Sequence, residues 1–331
     1  MSNKDTILVT GGAGYVGSTI VNDLAEKGYN VKAFDSLVFF KEKTYDIFKN
    51  DSIEFIYGDI RDCDLLGRSL KDVDCVIHLA AITGPLCDRV PVATQQINDV
   101  ASSQFIEICK MKKVKRFFFA STCSNYGSNL KIVNENTPLM ALSLYSETKV
   151  KTESLVLKTN NKNFETCVLR LATVFGISPI MRFDLLLQEL IMEAFLNKKI
   201  KIFGPSYWRP LIHVKDVSKA FLSAVCSPSE SISGEIFNVG STKQNFTKLE
   251  LAKMIQEYVS DIEIEVQEFK KDPRNYQVSF DKITNYLGFR TEHTIYDGIS
   301  EMIHGLNDKT IDLTTTDFSF RSSMVDKISV F

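Results

Sequence analysis

The chain has 331 residues, a net charge of −2 and 44% hydrophobic residues, with acids and bases interspersed. The length predicts one large domain or two closely joined ones, and the absence of a basic block argues against nucleic-acid binding. No signal-peptide core and no apolar run of transmembrane length is present, so we expect a cytoplasmic protein without a membrane contact. Seven cysteines without Cys-x-x-Cys spacing and four unpaired histidines predict reduced thiols and no metal site.

The first 35 residues predict a dinucleotide-binding unit. An apolar strand at residues 7–9 leads into TGGAGYVG at residues 10–17, an amphipathic helix follows at 16–27, and a second strand at 31–34 ends at Asp35. Glycines let the backbone turn tightly beside a pyrophosphate, and the helix N-terminus attracts its charge. Asp35 is placed to bind a ribose diol and to repel a 2′-phosphate, which favours NAD over NADP.

Strands and helices then alternate along the chain. After a short helix ending near Phe48, we predict strands at residues 53–57, 73–79, 114–120 and 166–171, with helices at 62–70, 92–111 and 143–159. The strand at 114–120 contains three consecutive phenylalanines, a pattern typical of strands buried on both faces. This order predicts an α/β fold with a Rossmann-type, doubly wound parallel sheet in residues 1–175.

Shorter elements follow and predict a smaller C-terminal α/β substrate lobe at residues 176–306, with the chain crossing between the two parts. We expect helices at 183–196, 214–226, 248–258 and 281–287, and strands at 200–203, 211–213, 235–238 and 263–266. Residues 307–331 are polar and predict a loosely attached tail. Ligands of such sheets bind beyond the carboxyl ends of the strands.

Tyr145 and Lys149 lie four residues apart on one predicted helix, so both project from the same face. A lysine ammonium beside a tyrosine lowers the pKa of the phenol, which predicts a general acid and base for a hydroxyl or carbonyl group. Thr122, at the end of the preceding strand, can supply a hydroxyl to the same oxygen. His78 and His213 are expected to be packed, hydrogen-bonded residues.

With these motifs the chain resembles the extended short-chain dehydrogenases/reductases of the NAD-dependent nucleotide-sugar epimerase/dehydratase family, over roughly residues 5–305. Besides the glycine run, Asp35 and the Tyr145/Lys149 pair, the resemblance rests on GDI at 58–60, HLAA at 78–81, Asn98, Ser121-Thr122 before Tyr126-Gly127, Arg209 before IHVKDV at 212–217, and DPRNY at 272–276.

The resemblance implies roles for individual residues. The implied cofactor-binding residues are Gly11, Gly14, Tyr15, Val16, Gly17, Asp35, Ser36, Asp59, Ile60, Leu79, Ala80, Ala81, Asn98, Tyr145, Lys149 and Leu171. The implied catalytic residues are Thr122, Tyr145 and Lys149. The implied substrate-binding residues are Thr83, Cys123, Ser124, Thr173, Arg182, Arg209 and Arg274. The last two would clamp a nucleotide diphosphate, although a surface salt bridge is the alternative for each, and Cys123 is equally well explained as a small filler. The family also implies a homodimer through the helices at 92–111 and 143–159.

The implied reaction is oxidation of a nucleotide sugar at C4, with Tyr145 taking the hydroxyl proton and NAD accepting the hydride. Dehydratases of the family carry an Asp-Glu pair after the strand-end threonine, where this chain has Cys123 and Ser124, so dehydration is disfavoured. We therefore predict a 4-epimerase. The alternatives are a C4 dehydrogenase or 4-keto reductase of a nucleotide-linked hexose or heptose in surface-polysaccharide biosynthesis, then a 4,6-dehydratase. A non-catalytic NAD-binding protein is the alternative from another class.

Overall fold

The computed structural model describes residues 5–38, 47–48, 50–267 and 273–311. Most of the short helix predicted to end near Phe48, and the tail from residue 312 onward, lie outside these residues. None of the helices in the described ranges has the length and apolar character needed to cross a bilayer.

Strands and helices alternate through most of the described chain. The strands are β1 (Thr6–Thr10), β2 (Asn30–Asp35), β3 (Ile53–Tyr57), β4 (Cys75–His78), β5 (Arg116–Thr122), β6 (Ser128–Val133), β7 (Glu165–Leu171), β8 (Thr173–Phe175), β9 (Lys199–Phe203), β10 (Trp208–His213), β11 (Glu235–Val239), β12 (Asn245–Thr247), β13 (Glu263–Gln267) and β14 (Asn275–Val278). The helices are α1 (Tyr15–Glu26), α2 (Cys63–Ser69), α3 (Leu86–Arg89), α4 (Pro91–Gln95), α5 (Ser102–Met111), α6 (Leu144–Thr159), α7 (Leu186–Asn197), α8 (Val214–Cys226), α9 (Ser229–Ile232), α10 (Lys248–Gln256), α11 (Asp281–Leu287) and α12 (Ile295–Asn307).

A seven-stranded sheet with the order β11-β7-β5-β4-β1-β2-β3 forms the centre of the fold. Each neighbouring pair in it is parallel. The strand order reverses between β1 and β4, which makes this the switch point beyond which ligands of doubly wound sheets bind. The Rossmann-type fold predicted from the sequence is confirmed.

Both faces of this sheet are buried, as the phenylalanines of β5 show. Phe118 packs in the core beneath α1 and α8, whereas Phe117 and Phe119 pack in the core beneath α2, α5 and α6. Successive strand residues point to opposite faces, so a strand covered on both sides needs apolar residues at consecutive positions. The uninterrupted apolar run of β5 therefore follows from its central position.

The C-terminal part contributes to both regions of the molecule. Helices α7, α10 and α12 enclose a separate apolar core beside the cavity described below. Strand β11, which the sequence placed in the smaller lobe, instead extends the large sheet by pairing with β7. Its position corrects that expectation, because the chain has already crossed back to the first part at α8, which packs on α1. The boundaries of the two predicted domains remain a prediction.

The helix predicted at residues 92–111 is continuous but not uniformly α-helical. Residues Gln96–Ala101, between α4 and α5, form a π-helical turn. Inside it, the carbonyl of Asn98 accepts a hydrogen bond of 2.9 Å from the Thr152 hydroxyl of α6. A side chain that inserts into the helical hydrogen-bond ladder is a common cause of such a turn, and π turns are frequent near functional sites.

Candidate active site

A cavity of about 1360 Å³ lies at the carboxyl ends of the central strands and extends toward the C-terminal core. It is lined by all the predicted site residues except Asn98 and Cys123. Its lining includes the glycine turn, the Tyr145/Lys149 pair, and Arg209 and Arg274. The fold therefore brings together residues from widely separated stretches of the sequence in one place.

The glycine turn after β1 leaves no room for side chains. The amides of Gly11 and Gly12 donate to the Phe34 carbonyl at 2.8 and 3.2 Å. A Cβ atom on Gly17 would lie 2.0 Å from the Gly11 oxygen, and one on Gly11 would lie 2.9 Å from the Ala80 nitrogen. The bare backbone and the N-terminus of α1 thus face the cavity, which is the geometry that a pyrophosphate requires.

The Asp35 carboxylate is fixed at the end of β2 by amide groups. It accepts hydrogen bonds from Ala13 at 3.1 Å and from Leu37 at 2.9 Å. Burial raises the pKa of this carboxyl to about 6, and backbone hydrogen bonds oppose the shift. It therefore stays ionised at neutral pH, as an acceptor for a ribose diol must. Nearby, the Asp59 carboxylate pairs with the Arg61 guanidinium at 2.8–2.9 Å, and both residues line the cavity.

Tyr145 and Lys149 project from the first two turns of α6, which is held by a capping box at Ser143. Tyr145 and Thr122 line the same cavity, and the Thr122 side chain acts to lower the pKa of the Tyr145 phenol. The Lys149 ammonium donates to the Ala120 carbonyl at 2.9 Å and lies 6.0 Å from the centre of the Tyr145 ring. Helix α6 and the end of β5 thus place the three predicted catalytic side chains together.

The pKa of Tyr145 differs from the expectation that the neighbouring Lys149 lowers it. Burial raises the pKa of this phenol to about 12, although Arg182, Arg274 and the Thr122 side chain act in the opposite direction. Burial also lowers the pKa of Lys149 to about 8. Loss of hydration therefore dominates the pKa of Tyr145, and the cations that lower it are Arg182 and Arg274, two of the arginines predicted to bind the substrate.

Two predicted site residues lie behind the cavity wall. The Cys123 thiol is fully buried and donates to the Arg170 carbonyl at 3.3 Å, and burial raises its pKa. Of the two interpretations of Cys123, a substrate contact or a small residue that fills space in the core, the structure supports the second. The Asn98 side chain forms two 2.8 Å hydrogen bonds with the backbone of Ile82, one to its amide and one to its carbonyl. Asn98 thus positions the loop after β4, which lines the cavity.

The arginines predicted to bind the substrate have different surroundings. Arg182 forms a two-point ion pair with Asp184 and donates to the Thr83 hydroxyl at 3.0 Å. The buried Arg209 guanidinium donates to the Trp208 carbonyl at 2.7 Å and to the Arg274 carbonyl, and it lies over the Tyr276 ring. Since Arg209 is only 3% exposed, it is not part of a surface salt bridge, which was the alternative interpretation.

Both histidines considered in the sequence are packed residues. His78 hydrogen-bonds with the Thr10 and Ser102 hydroxyls at 2.6 and 3.0 Å, and burial lowers its pKa to about 3. His213 pairs with Glu301 at 2.7 Å and stacks on His293. Among the residues that the structure describes, no cluster of His, Cys, Asp and Glu side chains has the geometry of a metal site.

Comparison with known proteins identifies the family. The model of the NAD dependent epimerase/dehydratase family matches residues 7–240. The chain belongs to this family. A putative UDP-glucose 4-epimerase from Methanocaldococcus jannaschii is 30% identical over 91% of this chain and 98% of its own length. A UDP-glucuronic acid decarboxylase from Arabidopsis thaliana is 26% identical over 97% of this chain and 72% of its own length.

A solved structure extends the comparison to the whole fold. The UDP-glucuronic acid 4-epimerase from Bacillus cereus, in complex with UDP-glucuronic acid and NAD, is 27% identical. It covers 92% of this chain and 99% of its own length, with a TM-score of 0.81. The chain is thus an NAD-dependent enzyme of the epimerase/dehydratase family, and the glycine turn with Asp35 fits that cofactor.

A buried polar network behind the active site was not predicted. The Ser121 hydroxyl donates to Glu153 at 2.7 Å, Arg170 pairs with Glu153, and Arg170 donates to the Tyr126 hydroxyl at 2.8 Å. Tyr126 in turn donates to Asn238 on β11 at 2.8 Å. Glu153 lies four residues after Lys149 on the same face of α6, a spacing that was visible in the sequence. The network ties α6 to β5, β7 and β11 and so fixes the helix that carries Tyr145 and Lys149.

Proposed function

We propose that the chain is a nucleotide-sugar 4-epimerase that acts by hydride transfer at C4. The observation that carries this proposal is the meeting of Thr122, Tyr145 and Lys149 in one cavity with Arg209 and Arg274. An acid/base centre and a pair of guanidinium groups are what oxidation of a sugar linked to a diphosphate needs.

The residues after Thr122 argue against dehydration. Elimination of water from the sugar needs an additional acid and base. Cys123 is buried behind the cavity wall, and Ser124 carries only a neutral hydroxyl group. Ser124 lies 3.0 Å from the Thr122 oxygen, so it belongs to a group of neutral hydroxyls around the reacting position. Such a group can orient a sugar oxygen, but it cannot act as a carboxylate base at neutral pH.

Tyr145 is the residue that exchanges a proton with the C4 oxygen. Its raised pKa keeps the phenol protonated in this cavity, which suits the step that returns a proton to the 4-keto oxygen. Removal of the C4 hydroxyl proton requires the phenolate, which the charges of Arg182 and Arg274 favour. Thr122 orients the same oxygen, and Lys149 holds the end of β5 through Ala120. Bound NAD supplies the acceptor for the C4 hydride.

The test is a product assay with purified protein and no added cofactor. UDP-glucose, UDP-glucuronic acid, GDP-mannose and dTDP-glucose are each incubated, and NMR determines the configuration at C4. A C4 epimer formed over many turnovers supports the proposal. NADH formed in one stoichiometric burst, with turnover resuming only when an oxidant is added, would establish a C4 dehydrogenase or, in reverse, a 4-keto reductase.

Two other outcomes would also contradict epimerisation. A 4-keto-6-deoxy sugar as product would establish a dehydratase. Tight NAD binding with no product from any nucleotide sugar would favour a non-catalytic NAD-binding protein.

We also propose that the enzyme is a cytoplasmic homodimer that supplies a sugar for polysaccharide biosynthesis. All seven cysteines are free thiols, which suits a reducing compartment. For the dimer, the continuous helical segment formed by α4, the π turn and α5 packs beside α6, and Asp99 pairs with Lys151 across them. Val92 and Val100 are exposed on this segment and support pairing with a second copy.

A further inference from the structure

The tyrosine of the glycine motif forms its side-chain hydrogen bonds with the C-terminal part of the chain. Tyr15 is the first residue of α1 and is only 5% exposed. Its hydroxyl donates to the Gly176 carbonyl, just after β8, at 2.7 Å and accepts a hydrogen bond of 3.0 Å from the Gln188 side chain of α7. A tyrosine hydroxyl has one proton to donate, and here the loop after β8 accepts it. The hydroxyl of Tyr15 therefore serves this loop, whereas its main chain belongs to the cofactor motif.

A serine of the same loop strengthens this connection. The Ser178 hydroxyl donates to the main-chain carbonyl of Tyr15 at 2.5 Å. It also lies 3.1 Å from the Ser18 hydroxyl and accepts a hydrogen bond of 3.2 Å from Thr19. These residues are all buried, and buried hydroxyls are costly unless they are hydrogen-bonded. The cluster therefore holds the first turn of α1 and the loop after β8 in one relative position.

The loop held in this way forms part of the cavity wall and carries a proposed substrate-binding residue. Residues 177–182 all line the cavity. At the end of this run, the Arg182 guanidinium donates to the Thr83 hydroxyl in the loop after β4. Burial raises the pKa of both Tyr15 and Tyr145, and the charge of Arg182 acts in the opposite direction on each of them. Arg182 thus lies within electrostatic reach of both the Tyr15 hydroxyl and the proposed acid/base.

The beginning of the loop has little freedom to adjust. Gly176 has a φ of +104°, and a Cβ atom there would lie 2.2 Å from the His213 ring. The amide of Ile177 donates to the Glu301 carboxylate of α12 at 2.7 Å. The direction of the Gly176 carbonyl is therefore fixed by its surroundings. Removal of the Tyr15 hydroxyl would take a buried hydrogen bond from this carbonyl, and a displaced loop would be needed to replace it.

We propose that Tyr15, through its hydroxyl, and Ser178 are positioning residues for the nucleotide sugar, because they hold the loop at 176–182 in the shape that the substrate meets. This inference rests on the proposed function, since it concerns a ligand of the same cavity. A loop that is fixed before the ligand arrives raises affinity, because binding then does not have to order it. The side chain of Tyr15 thus acts on substrate affinity, although the residue lies in the cofactor motif.

The test compares the two ligands of the cavity. Wild type, Tyr15→Phe and Ser178→Ala are saturated with NADH, so that no hydride can leave the sugar, and are titrated with UDP-glucose, UDP-glucuronic acid, GDP-mannose and dTDP-glucose. Both variants are expected to bind the tightest of these about threefold to thirtyfold more weakly, as loss of one or two hydrogen bonds predicts. NADH is titrated separately, and its affinity is expected to stay within about twofold of wild type, because the glycine turn is unchanged.

Tyr29→Phe is the matched control. Its hydroxyl is also hydrogen-bonded, lying 3.4 Å from the Cys226 thiol, but Tyr29 precedes β2, at the edge of the sheet opposite to the cavity. This variant should bind both ligands as wild type does. In steady-state assays, Tyr15→Phe should raise KM for the nucleotide sugar with little change in kcat, because the acid/base at Tyr145 is retained.

The opposite results are equally clear. Wild-type affinity for the nucleotide sugar in either variant would overturn the inference, and so would a lower kcat with unchanged KM. Equal losses for the nucleotide sugar and NADH would also overturn it, by assigning Tyr15 to the cofactor site or to the fold. If wild type binds none of the four nucleotide sugars, the proposed function fails together with this inference.

Discussion

Tyr145 occupies a buried position where two effects on its pKa oppose each other. Loss of hydration stabilises the neutral phenol, and the neighbouring arginines stabilise the phenolate. Since Arg182 and Arg274 are predicted to bind the substrate, the proposed acid/base centre and the proposed substrate-binding residues are electrostatically coupled. The environment of this hydroxyl therefore depends on the whole cavity and not on Lys149 alone.

Replacing Tyr145 with phenylalanine should abolish proton transfer while keeping the ring. We expect kcat to fall about 10²- to 10⁴-fold, the range typical for loss of a general acid/base. NAD affinity and the melting temperature should stay close to wild type, because only a hydroxyl is removed. Steady-state kinetics with the best nucleotide sugar and calorimetric titration of NAD provide the measurements. Unchanged kcat would remove Tyr145 from the mechanism.

Lys149 should reduce the stability of the fold at neutral pH. Its pKa of about 8 in the folded protein lies below the value of about 10.4 for an unfolded lysine. The unfolded chain therefore binds more protons between these values, and stability rises with pH across this window. The burial cost is complete below about pH 8 and is relieved as the pH approaches 10.4.

The variant Lys149→Met tests this cost. We expect its melting temperature to exceed that of wild type at pH 7 by a few degrees, from a free energy on the order of 1–3 kcal/mol, and the gain to shrink at pH 10. Its turnover should be strongly reduced. The exposed Lys253→Met is the control, with a small effect at both pH values. A gain of the same size at pH 7 and pH 10 would mean that ionisation of Lys149 is not its source.

At the scale of elements, the glycine turn works through the close approach of α1 to β1. Gly17 lies in the first turn of α1, and its absent side chain lets the helix sit against Gly11. The N-terminus of the helix is thereby held at the cavity wall, where its amides can meet phosphate oxygens. Any side chain at this position must move the helix away from the turn.

The variant Gly17→Ala should therefore lose NAD affinity. Its Cβ atom would meet backbone at 2.0 Å, a contact that only displacement of α1 can relieve. We expect NAD binding to weaken at least tenfold and the melting temperature to fall. Gly67→Ala is the matched control, because Gly67 lies within α2 and its nearest neighbour would be a flexible lysine carbon at 3.6 Å. A calorimetric NAD titration that gives wild-type affinity for Gly17→Ala would contradict this role of Gly17.

Elements with strong local patterns were predictable, and those defined by distant partners were not. Helices α8 and α11 have the predicted bounds, because their apolar periodicity is uninterrupted. The π turn before α5 contains a hydrogen bond to Thr152, which lies more than fifty residues away, so no local sequence pattern predicts this turn. Strands β8 and β12 have three residues each, too few for a recognisable alternation.

At the scale of the whole molecule, the residues of the candidate site also differ in how predictable they were. Those in local motifs could be identified from the sequence, and those brought in by distant contacts could not. Gly11, Asp35 and Tyr145 were found because their motifs have characteristic spacing within one supersecondary unit. Lys248, the first residue of α10, also lines the cavity but has no motif, and distant pairings such as that of β10 with β12 bring it there. Burial cannot be seen in the sequence either, which is why Cys123 was placed beside the substrate and the pKa of Tyr145 was expected to fall.

The proposed homodimer is a property of the whole molecule that a single side chain can test. Val100 lies in the π turn, half of its surface is exposed, and it adjoins the Asp99–Lys151 ion pair that joins the two helical segments. If a second copy covers this surface, Val100 is buried in the dimer, and a glutamate there would place an unpaired charge in an apolar contact. The variant Val100→Glu should therefore weaken dimerisation at least tenfold without unfolding the subunit.

Light scattering over a range of concentrations measures this effect directly. Wild type is expected to remain dimeric, whereas Val100→Glu should dissociate to a monomer with an unchanged circular dichroism spectrum. Val266→Glu on β13 is the matched control, because Val266 has the same 50% exposure but lies away from both helices. A monomeric wild type would contradict the dimer. A wild type and a Val100→Glu variant that are equally dimeric would instead move the interface to another surface.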